Sequence, residues 1–451
     1  MYDIIIIGGG PAGYRAAEIA GNRGKRILLV EKRAVGGTCL HEGCIPMKAY
    51  LHVCDIREKA KQLITKNLLS SSVPKVNLDT LSQHSHKTIA TLEKGILAGL
   101  KGAGVEIVQG SAKIASASTE CVTIDVGDRC FAGKNLIIAT GGQTVRIYDA
   151  KVAQAYRVID GSDIFTMKDV PKNIFIIGSG AIGLESASVF NSLGVDVTVV
   201  ESMPQICGEM DKEMSQVLQK SMEKRGIHFL LNTKLDGCGQ NEVSLCSEDK
   251  TFIAKPECVL IAIGRKPFTE GLGLENIDID YDKTGISIDE NCRTSCPLIY
   301  ACGDVTGKMM LAHTAYRQVR VAVDNICGVE NTMEYDTIPR IVYSLPSYIG
   351  VGYTEEYCQN RGLPYLSKVL PMTYNGKYYA ENGMDGSRAK LIVDSDTHRI
   401  LGFHVVGLDM PELALTAESM IKNNMTIEDV RNIVFPHPTF GEIIQTLADS
   451  I

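Results

Sequence analysis

Two cysteines five positions apart, Cys39 and Cys44, have the residue type and spacing best suited to redox chemistry in this chain. In a regular helix, residues five apart are separated by ~7.5 Å along the axis and lie on different faces. The α-carbons of a disulfide are only ~4.4–6.8 Å apart. A bond between the two sulfurs therefore requires a tight or irregular backbone, which Gly43 and Pro46 would permit.

The residues after Cys44 predict the start of a helix. Pro46 fits the first turn of a helix, because its missing N–H would have no partner there. Cys44 would then lie beside a helix N-terminus, whose partial positive charge favours a thiolate. We expect a dithiol that a flavin switches between thiol and disulfide states. The alternative is that two of fourteen cysteines pack as small apolar side chains, and only the surrounding motifs favour the redox interpretation.

A dinucleotide-binding pattern precedes the cysteines. The apolar stretch 2–7 predicts a buried parallel strand, and Gly8, Gly10 and Gly13 then form G-x-G-x-x-G before a predicted helix and a second strand at 27–30. Glu31 ends that second strand. Glycines let the backbone approach a pyrophosphate, the helix N-terminus stabilises its charge, and the carboxylate binds ribose hydroxyls. A glycine-rich turn in another α/β fold is the remaining alternative.

The same unit recurs 170 residues later without a gap. Gly178, Gly180 and Gly183 repeat the glycines, and Glu201 repeats Glu31 at the end of the strand that follows. The repeat predicts two dinucleotide sites. A carboxylate at position 201 would accept a hydrogen bond from a ribose 2′-hydroxyl and repel a 2′-phosphate, and no arginine lies within 201–205. The second site is therefore expected to prefer NAD over NADP.

Other segments predict elements that would position these motifs. The strands predicted at 136–140, 259–263 and 298–302 each run into a glycine, and Asp304 follows the third, where it could bind ribityl hydroxyls. A polar region at 52–101 is predicted to be helical, with an ordinary packing helix at 87–100. From residue 336 the alternation predicts an antiparallel sheet followed by helices at 411–423 and 426–433.

Near the C-terminus, His437 lies between Pro436 and Pro438, and Glu442 follows five residues later. Two prolines would hold the histidine rigidly, and the carboxylate could orient its imidazole as base catalysis requires. From spacing alone, an ordinary surface histidine is the better interpretation.

Composition bounds the class of protein. The chain has 451 residues, enough for about three domains. A net charge of −7 gives no indication of nucleic-acid or anionic-membrane binding. The first apolar run, Ile4–Ile7, is too short to span a bilayer and ends in glycines, so a cytoplasmic location is expected. Fourteen cysteines in such a protein do not indicate a disulfide scaffold, so any disulfide is expected to be catalytic.

Together these segments resemble the pyridine nucleotide–disulfide oxidoreductases, and within that family the dihydrolipoamide dehydrogenases most. GGTCLHEGCIPMK at 36–48 is similar to the family's redox-disulfide motif, and AIGRKP at 262–267 and CGDVTGKMMLAH at 302–313 also match. Residues 310–313 are more similar to lipoamide dehydrogenases than to glutathione reductases. The resemblance extends from Tyr2 to Glu442.

The resemblance implies an α/β fold with two Rossmann-like dinucleotide-binding domains, for FAD and NAD, and a C-terminal α+β dimerisation domain. The expected boundaries are 1–145 and 271–335 for the two parts of the FAD domain, 146–270 for the NAD domain and 336–451 for the interface domain.

It also implies residue roles. Cys39 would be the interchange thiol, Cys44 the charge-transfer thiolate against the flavin, and Lys48 and Glu185 a pair near flavin N5. In a homodimer, His437 and Glu442 would act on the partner's disulfide. The remaining residues expected to contact FAD are Gly8, Gly10, Pro11, Ala12, Gly13, Glu31, Lys32, Gly37, Thr38, Lys48, Gly110, Thr140, Gly141, Asp304, Met310, Leu311, Ala312 and His313. Those expected to contact NAD are Gly178, Gly180, Ile182, Gly183, Glu185, Glu201, Gly264 and Arg265.

The implied activity is oxidation of protein-bound dihydrolipoamide through the cysteine pair and FAD to NAD⁺, with lipoate arriving on another protein. Three alternatives stay open. One is a related reductase for glutathione, mycothiol or mercury, although Glu201 argues against NADPH and no cysteine follows Glu442. The second is a thiol-independent diaphorase or transhydrogenase, and the third is a docking subunit. No metal site is expected.

The chain departs from the family pattern around the expected active site. Met47 replaces the usual serine, Phe435 and Pro436 replace His-Ala, and Gly441 replaces serine, while Ser347 stands where Pro-Glu is usual. These departures leave the substrate's fine specificity open.

Overall fold

The alternating strands and helices that the sequence predicts are present in the structure, a computed structural model that describes residues 1–146, 157–239, 242–247 and 250–451. The helices are α1 (Pro11–Asn22), α2 (Gly37–His41), α3 (Cys44–Thr65), α4 (Leu78–Gly102), α5 (Ala181–Ser192), α6 (Lys212–Lys224), α7 (Ala312–Ile326), α8 (Glu355–Arg361), α9 (Gly376–Asn382), α10 (Leu413–Lys422), α11 (Ile427–Arg431) and α12 (Glu442–Asp449). Short 3₁₀ helices span Asp163–Thr166, Leu274–Asn276, Asp304–Thr306 and Met372–Tyr374.

The strands alternate with these helices along the chain. They are β1 (Tyr2–Ile7), β2 (Ile27–Glu31), β3 (Glu106–Gln109), β4 (Ala112–Ala117), β5 (Val122–Val126), β6 (Arg129–Ile138), β7 (Gly142–Thr144), β8 (Val158–Asp160), β9 (Asn173–Ile177), β10 (Asp196–Val200), β11 (Ile227–Leu230), β12 (Thr233–Cys238), β13 (Val243–Ser247), β14 (Lys250–Ala254), β15 (Cys258–Ile261), β16 (Arg265–Pro267), β17 (Tyr281–Asp282), β18 (Gly285–Ile286), β19 (Ile299–Ala301), β20 (Arg340–Val342), β21 (Ser347–Gly352), β22 (Tyr365–Pro371), β23 (Arg388–Asp394) and β24 (Ile400–Gly407).

The chain divides into two compact units. Unit 1 comprises residues 1–49, 79–145 and 264–334, and unit 2 comprises residues 50–78, 146–263 and 335–451. The division expected from the sequence has four segments, and it stays a prediction. Part of its NAD segment, at 147–156, 240–241 and 248–249, lies outside the described residues.

Unit 1 is built on a sheet in which β1 runs parallel to β2 and β6, with Ile4 opposite Ile27 and Asn135. The strand order is β3–β2–β1–β6–β5–β4, and β19 also pairs with β6 in parallel. The β1 side chains Ile4, Ile5 and Ile6 have no exposed surface. An uninterrupted apolar strand is buried on both faces, so this sheet lies at the centre of the unit and the glycine-rich turn follows its central strand.

Besides the small antiparallel sheet of β12, β13 and β14, unit 2 contains a second parallel sheet and a five-stranded antiparallel sheet. The parallel sheet has the order β11–β10–β9–β15–β8, and the glycine turn after β9 leads into α5. The antiparallel sheet has the order β20–β21–β24–β23–β22 and packs its apolar face against α10, α11 and α12. The expected fold class, two Rossmann-like parts and a C-terminal α+β part, is confirmed.

Helix α4 includes the packing helix that the sequence predicts. Ile89 and Leu100 are buried, while Leu92 is 41% exposed in the single subunit. Within the described parts of the chain, no helix combines the length and apolar character needed to cross a membrane.

Candidate active site

A short helix and the long helix that follows it carry the cysteine pair. Cys39 lies in α2, a single turn that Gly36 begins with φ of 118°, and Cys44 is the first residue of α3. The amide of Glu42 donates to the carbonyl of Thr38 at 2.9 Å, which closes α2 before the chain restarts at Cys44. The irregular backbone expected between the cysteines is thus present, and Pro46 lies in the first turn of α3 as predicted. No pattern in the sequence predicts α2.

The two sulfurs are neighbours, and both are free thiols in this structure. A hydrogen bond between the Cys39 and Cys44 side chains, together with burial, raises the pKa of Cys39. The charge of Lys48 opposes that increase and the charge of Asp304 adds to it. Cys39 therefore keeps its proton at neutral pH. A pair in direct contact can be oxidised to a disulfide without large rearrangement.

The first glycine loop packs closely against the backbone around it. The Gly9 amide donates to Glu31 Oε2 at 2.6 Å, and the Gly36 amide donates to the Gly9 carbonyl at 2.8 Å. A Cβ on Gly37, whose φ is 60°, would lie 2.7 Å from the Gly10 α-carbon. Backbone amides at the start of α1 and a fixed carboxylate at the end of β2 match the needs of a dinucleotide pyrophosphate and its ribose. The residues present therefore fit FAD.

Several other residues expected to contact FAD lie around this loop. The Gly110 amide donates to the Glu31 carbonyl at 2.9 Å, and Thr140 Oγ1 donates to the Phe268 carbonyl at 2.8 Å. The Lys32 ammonium lies 3.9 Å from the centre of the Phe268 ring. Residues 310–313 lead into α7, which begins at Ala312. These positions lie within unit 1, and their contact with FAD stays a prediction.

Asp304 is held by Arg265, which the family resemblance assigns to the NAD site. Arg265 Nε lies 3.3 Å from Asp304 Oδ2, and the same guanidinium donates to the Gly142 carbonyl. Gly264 and Arg265 thus belong to unit 1 and not to the unit with the second glycine loop, so their contact with NAD stays a prediction. Gln318, which no sequence motif indicates, is buried on α7 and accepts a hydrogen bond from the Gly303 amide at 2.6 Å. No local sequence signal indicates either partner.

In the second glycine loop, as in the first, the glutamate at the end of the next strand accepts a hydrogen bond from a backbone amide of the loop. Glu201 Oε2 accepts from the Ser179 amide at 2.9 Å and from its hydroxyl at 2.7 Å, while Oε1 accepts from the Met203 amide at 2.9 Å. Burial raises the pKa of Glu201, but these hydrogen bonds outweigh it and the net shift is downward. A Cβ on Gly183 would lie 2.0 Å from the Gly178 carbonyl oxygen. The second loop likewise fits a dinucleotide.

The two residues expected to form an ion pair near the flavin are placed on different helices. Glu185 is buried on α5, and its Oε1 accepts from the Tyr343 amide at 3.1 Å. Lys48 lies in the first turn and a half of α3. Their pairing stays a prediction.

His437 and Glu442 form the hydrogen-bonded pair that the sequence suggested. His437 Nδ1 lies 2.8 Å from Glu442 Oε1, and Glu442 Oε2 accepts from the Thr439 amide at 2.8 Å. These hydrogen bonds, that of Thr439 first, lower the pKa of Glu442. The histidine side chain is 81% exposed. The carboxylate thus fixes the ring through Nδ1 and leaves Nε2 as the nitrogen that could exchange a proton with a substrate.

Comparison with known families agrees with this architecture. Residues 2–318 match the model of the pyridine nucleotide-disulphide oxidoreductases, and residues 338–448 match the dimerisation domain of the same family. The chain belongs to this family and is a flavin-dependent oxidoreductase that uses FAD and NAD. The match to the dimerisation domain supports a homodimer.

Relatives of known name match along almost the whole chain. Dihydrolipoyl dehydrogenase 1 from mitochondria of Arabidopsis thaliana is 34% identical over 99% of this chain and 89% of its own length. Dihydrolipoyl dehydrogenase of Geobacillus stearothermophilus is 31% identical over 99% of this chain and 95% of its own length. Leghemoglobin reductase of Vigna unguiculata is 35% identical over 99% of this chain and 87% of its own length.

Solved structures share the fold. LpdA from Mycobacterium tuberculosis superposes with a TM-score of 0.90 at 24% identity, covering 100% of this chain and 99% of its own. The HOCl-induced flavoprotein disulfide reductase RclA from Escherichia coli superposes with a TM-score of 0.85 at 25% identity, covering 99% of each chain.

Proposed function

We propose that this protein is a dihydrolipoyl dehydrogenase. It oxidises dihydrolipoamide carried on a lipoyl-bearing protein to lipoamide, and NAD⁺ is reduced to NADH with release of one proton. The hydrogen-bonded Cys39–Cys44 pair at the start of α3 carries this proposal, because it supplies a dithiol in a chain with two dinucleotide loops. Full-length similarity to dihydrolipoyl dehydrogenases of plants and bacteria supports it.

The proposed reaction starts from the Cys39–Cys44 disulfide. His437 accepts a proton from one substrate thiol, and the resulting thiolate attacks Cys39, which breaks the protein disulfide and releases Cys44 as a thiolate. The sulfur of the second substrate thiol then displaces Cys39, and its proton passes to the departing Cys39 sulfur. This closes the substrate disulfide and leaves Cys39 as a thiol, Cys44 as a thiolate and His437 protonated. When bound, FAD supplies two-electron transfer between this dithiol and the nicotinamide.

The other residues bind and orient. Glu31 and Asp304 would hold FAD through its hydroxyl groups, and Glu201 would hold the ribose of NAD. Lys48 and Glu185 would form an ion pair near the flavin. In the homodimer, the His437–Glu442 pair of one subunit would act on the dithiol of the other. A cytoplasmic location stays our expectation.

A second candidate is reduction of a different small disulfide by the same dithiol. The structural similarity to a flavoprotein disulfide reductase, RclA, supports this second candidate. A thiol-independent NADH diaphorase or transhydrogenase is the third.

The test compares three serine variants in dihydrolipoamide-dependent NADH formation. Cys39→Ser and Cys44→Ser are expected to abolish this activity and to retain NADH oxidation by a quinone acceptor, which needs no dithiol. Cys130→Ser, at an exposed thiol of unit 1, is the matched control and should behave as wild type. NADH formation that survives in Cys44→Ser would exclude the dithiol mechanism. A wild-type protein that ignores dihydrolipoamide and reduces another disulfide would establish the second candidate.

A further inference from the structure

Asn375 is a buried polar residue that connects two segments of unit 2. It lies between the 3₁₀ helix Met372–Tyr374 and α9, and only 3% of its surface is exposed. Its Oδ1 accepts from the Tyr378 amide at 2.9 Å, which caps the N-terminus of α9. Its Nδ2 donates to the Thr439 carbonyl at 2.8 Å and lies 3.5 Å from the Phe440 carbonyl oxygen. One side chain therefore joins the start of a helix to a turn 64 residues later in the chain.

The two backbone partners determine the orientation of the Asn375 amide. A backbone N–H can only donate and a carbonyl can only accept, so Oδ1 faces the Tyr378 amide and Nδ2 faces the Thr439 carbonyl. Because Asn375 is buried, bulk water has little access to either hydrogen bond, and both are stronger than they would be at the surface. The side chain therefore holds the Thr439 carbonyl in one place relative to α9.

Thr439 in turn contacts the pair that His437 and Glu442 form. Its amide donates to Glu442 Oε2 at 2.8 Å, and its Oγ1 donates to the Pro436 carbonyl at 2.8 Å. The other carboxylate oxygen, Oε1, lies 2.8 Å from His437 Nδ1. The position of Thr439 therefore determines where the carboxylate lies and, through the carboxylate, how the imidazole ring is oriented.

Ring contacts hold the same turn against α9. The Phe440 ring lies edge-on to the Tyr378 ring with centroids 5.6 Å apart, and the Lys377 ammonium lies 4.8 Å from the centre of the Phe440 ring. Tyr378 is fully buried. The His437 side chain, by contrast, is 81% exposed in the single subunit. Within the subunit, the turn and not the packing of its own ring keeps the histidine in place.

We propose that Asn375 is a positioning residue for proton transfer at His437. It acts through Thr439, whose amide orients Glu442. The inference rests on the proposed function and adds to it a residue distant in sequence from the histidine. A displaced turn would move the imidazole away from the substrate thiol, and a misplacement of about 1 Å can lower a rate by ~10²-fold.

The test uses Asn375→Asp and Asn375→Ser, because aspartate and serine also cap helices well. An aspartate carboxylate only accepts hydrogen bonds, and a serine side chain is too short to span both contacts. If Asn375 acted only as a helix cap, both variants would keep the wild-type kcat. We expect kcat for dihydrolipoamide oxidation to fall by about tenfold or more in both variants, while NADH oxidation by a quinone stays at the wild-type level.

Thr354→Ala is the matched control, because it removes the corresponding cap of α8. The Thr354 side chain accepts from the Tyr357 amide at 3.1 Å. Loss of this cap should lower Tm and leave kcat for dihydrolipoamide at the wild-type value.

Hydrogen–deuterium exchange measures the turn without turnover. The Thr439 amide, which Glu442 protects, should exchange faster in both Asn375 variants than in wild type and in Thr354→Ala. If wild type does not oxidise dihydrolipoamide, only the proposed function fails, and exchange in the segment 437–442 alone decides the inference. Wild-type exchange there in both Asn375 variants, or a kcat loss in Thr354→Ala as large as theirs, overturns it.

Discussion

Glu442 orients His437 through one hydrogen bond of 2.8 Å, so a single carboxylate determines which ring nitrogen faces outward. Glu442→Gln would replace the acceptor with an amide that can present either an oxygen or an N–H to Nδ1. We expect kcat for dihydrolipoamide oxidation to fall by about 10–100-fold, and Glu442→Asp to restore part of the loss. Steady-state kinetics with separate kcat and KM values checks this.

The pH dependence of that effect follows from the lowered pKa of Glu442. The pKa of Glu442 is lower in the folded protein than the ordinary value of ~4.3 for a glutamate, so the carboxylate is present at every pH above that value. Its contact with His437 is lost only as pH falls through the lower pKa of the folded protein. The deficit of Glu442→Gln should therefore be constant from neutral to mildly acidic pH. NADH oxidation by a quinone reports on the cofactor sites, and His84→Gln, at an exposed histidine of α4, is the control. Equal activity of Glu442→Gln and wild type would show that the pair has no role in catalysis.

At the scale of elements, Gly37 allows α2 to lie against the glycine loop. With φ of 60°, an alanine there would be strained, and its Cβ would lie 2.7 Å from the Gly10 α-carbon. We expect Gly37→Ala to push the cysteine-bearing helix from the loop, to lower FAD content by at least half and to lower Tm. Flavin absorbance per protein and thermal unfolding measure the two effects.

Gly95→Ala is the matched control, because Gly95 lies inside α4 and a Cβ there meets nothing within 4 Å. An alanine in a helix interior should stabilise the protein by ~0.5–1 kcal/mol. Full FAD content in Gly37→Ala would mean that the two elements do not need close contact to bind the cofactor.

At the scale of the molecule, Lys390 connects three elements of unit 2. Its side chain on β23 is fully buried and lies 3.0 Å from Asp211, 2.9 Å from Glu213 and 2.7 Å from Glu355. Burial lowers the pKa of Lys390, but the carboxylates outweigh it and the net shift is upward. Because the folded pKa is the higher one, the ion-pair contribution to stability is fully present below the unfolded value of ~10.4 and is lost only as pH rises above it.

Lys390→Met would leave the buried Asp211 carboxylate without its cation. We expect a loss of about 3–5 kcal/mol in the free energy of unfolding at pH 8. The loss should be smaller at pH 5, where the abandoned carboxylates can take up protons. Urea unfolding at both pH values checks the prediction, with Lys368→Met on β22 as control. A loss of the same size in the two lysine variants would contradict it.

In the homodimer, complementation between two inactive variants can show which subunit supplies the histidine of each site. If His437 acts on the partner's dithiol, then a heterodimer of Cys44→Ser and His437→Gln subunits contains one wild-type site and one doubly impaired site. Refolding the two inactive variants together in equal amounts should restore about a quarter of wild-type activity, since half of the dimers are mixed and half of their sites are intact. No recovery, with mixed dimers verified by differential tagging, would place the histidine and the dithiol of one subunit in the same site.

The two glycine loops, their terminal carboxylates, the fold class and the neighbouring cysteines could all be predicted from the residue pattern. These features depend on residues close in sequence: a strand, a tight turn and a helix N-terminus form within about thirty residues, and Glu31 and Glu201 meet their loops because parallel strands end at one edge of a sheet. The pairing of His437 with Glu442 was open from spacing alone, and the structure shows it.

Contacts between residues far apart in the chain could not be predicted from the residue pattern. It placed Arg265 on Asp304, Gln318 on the Gly303 amide and Lys390 among three carboxylates. It also brought Arg15 of α1 together with Arg320 of α7 around one cavity. Each of these contacts joins segments that are far apart in the chain, and their proximity depends on how helices pack on sheets. Local residue patterns therefore do not predict these contacts.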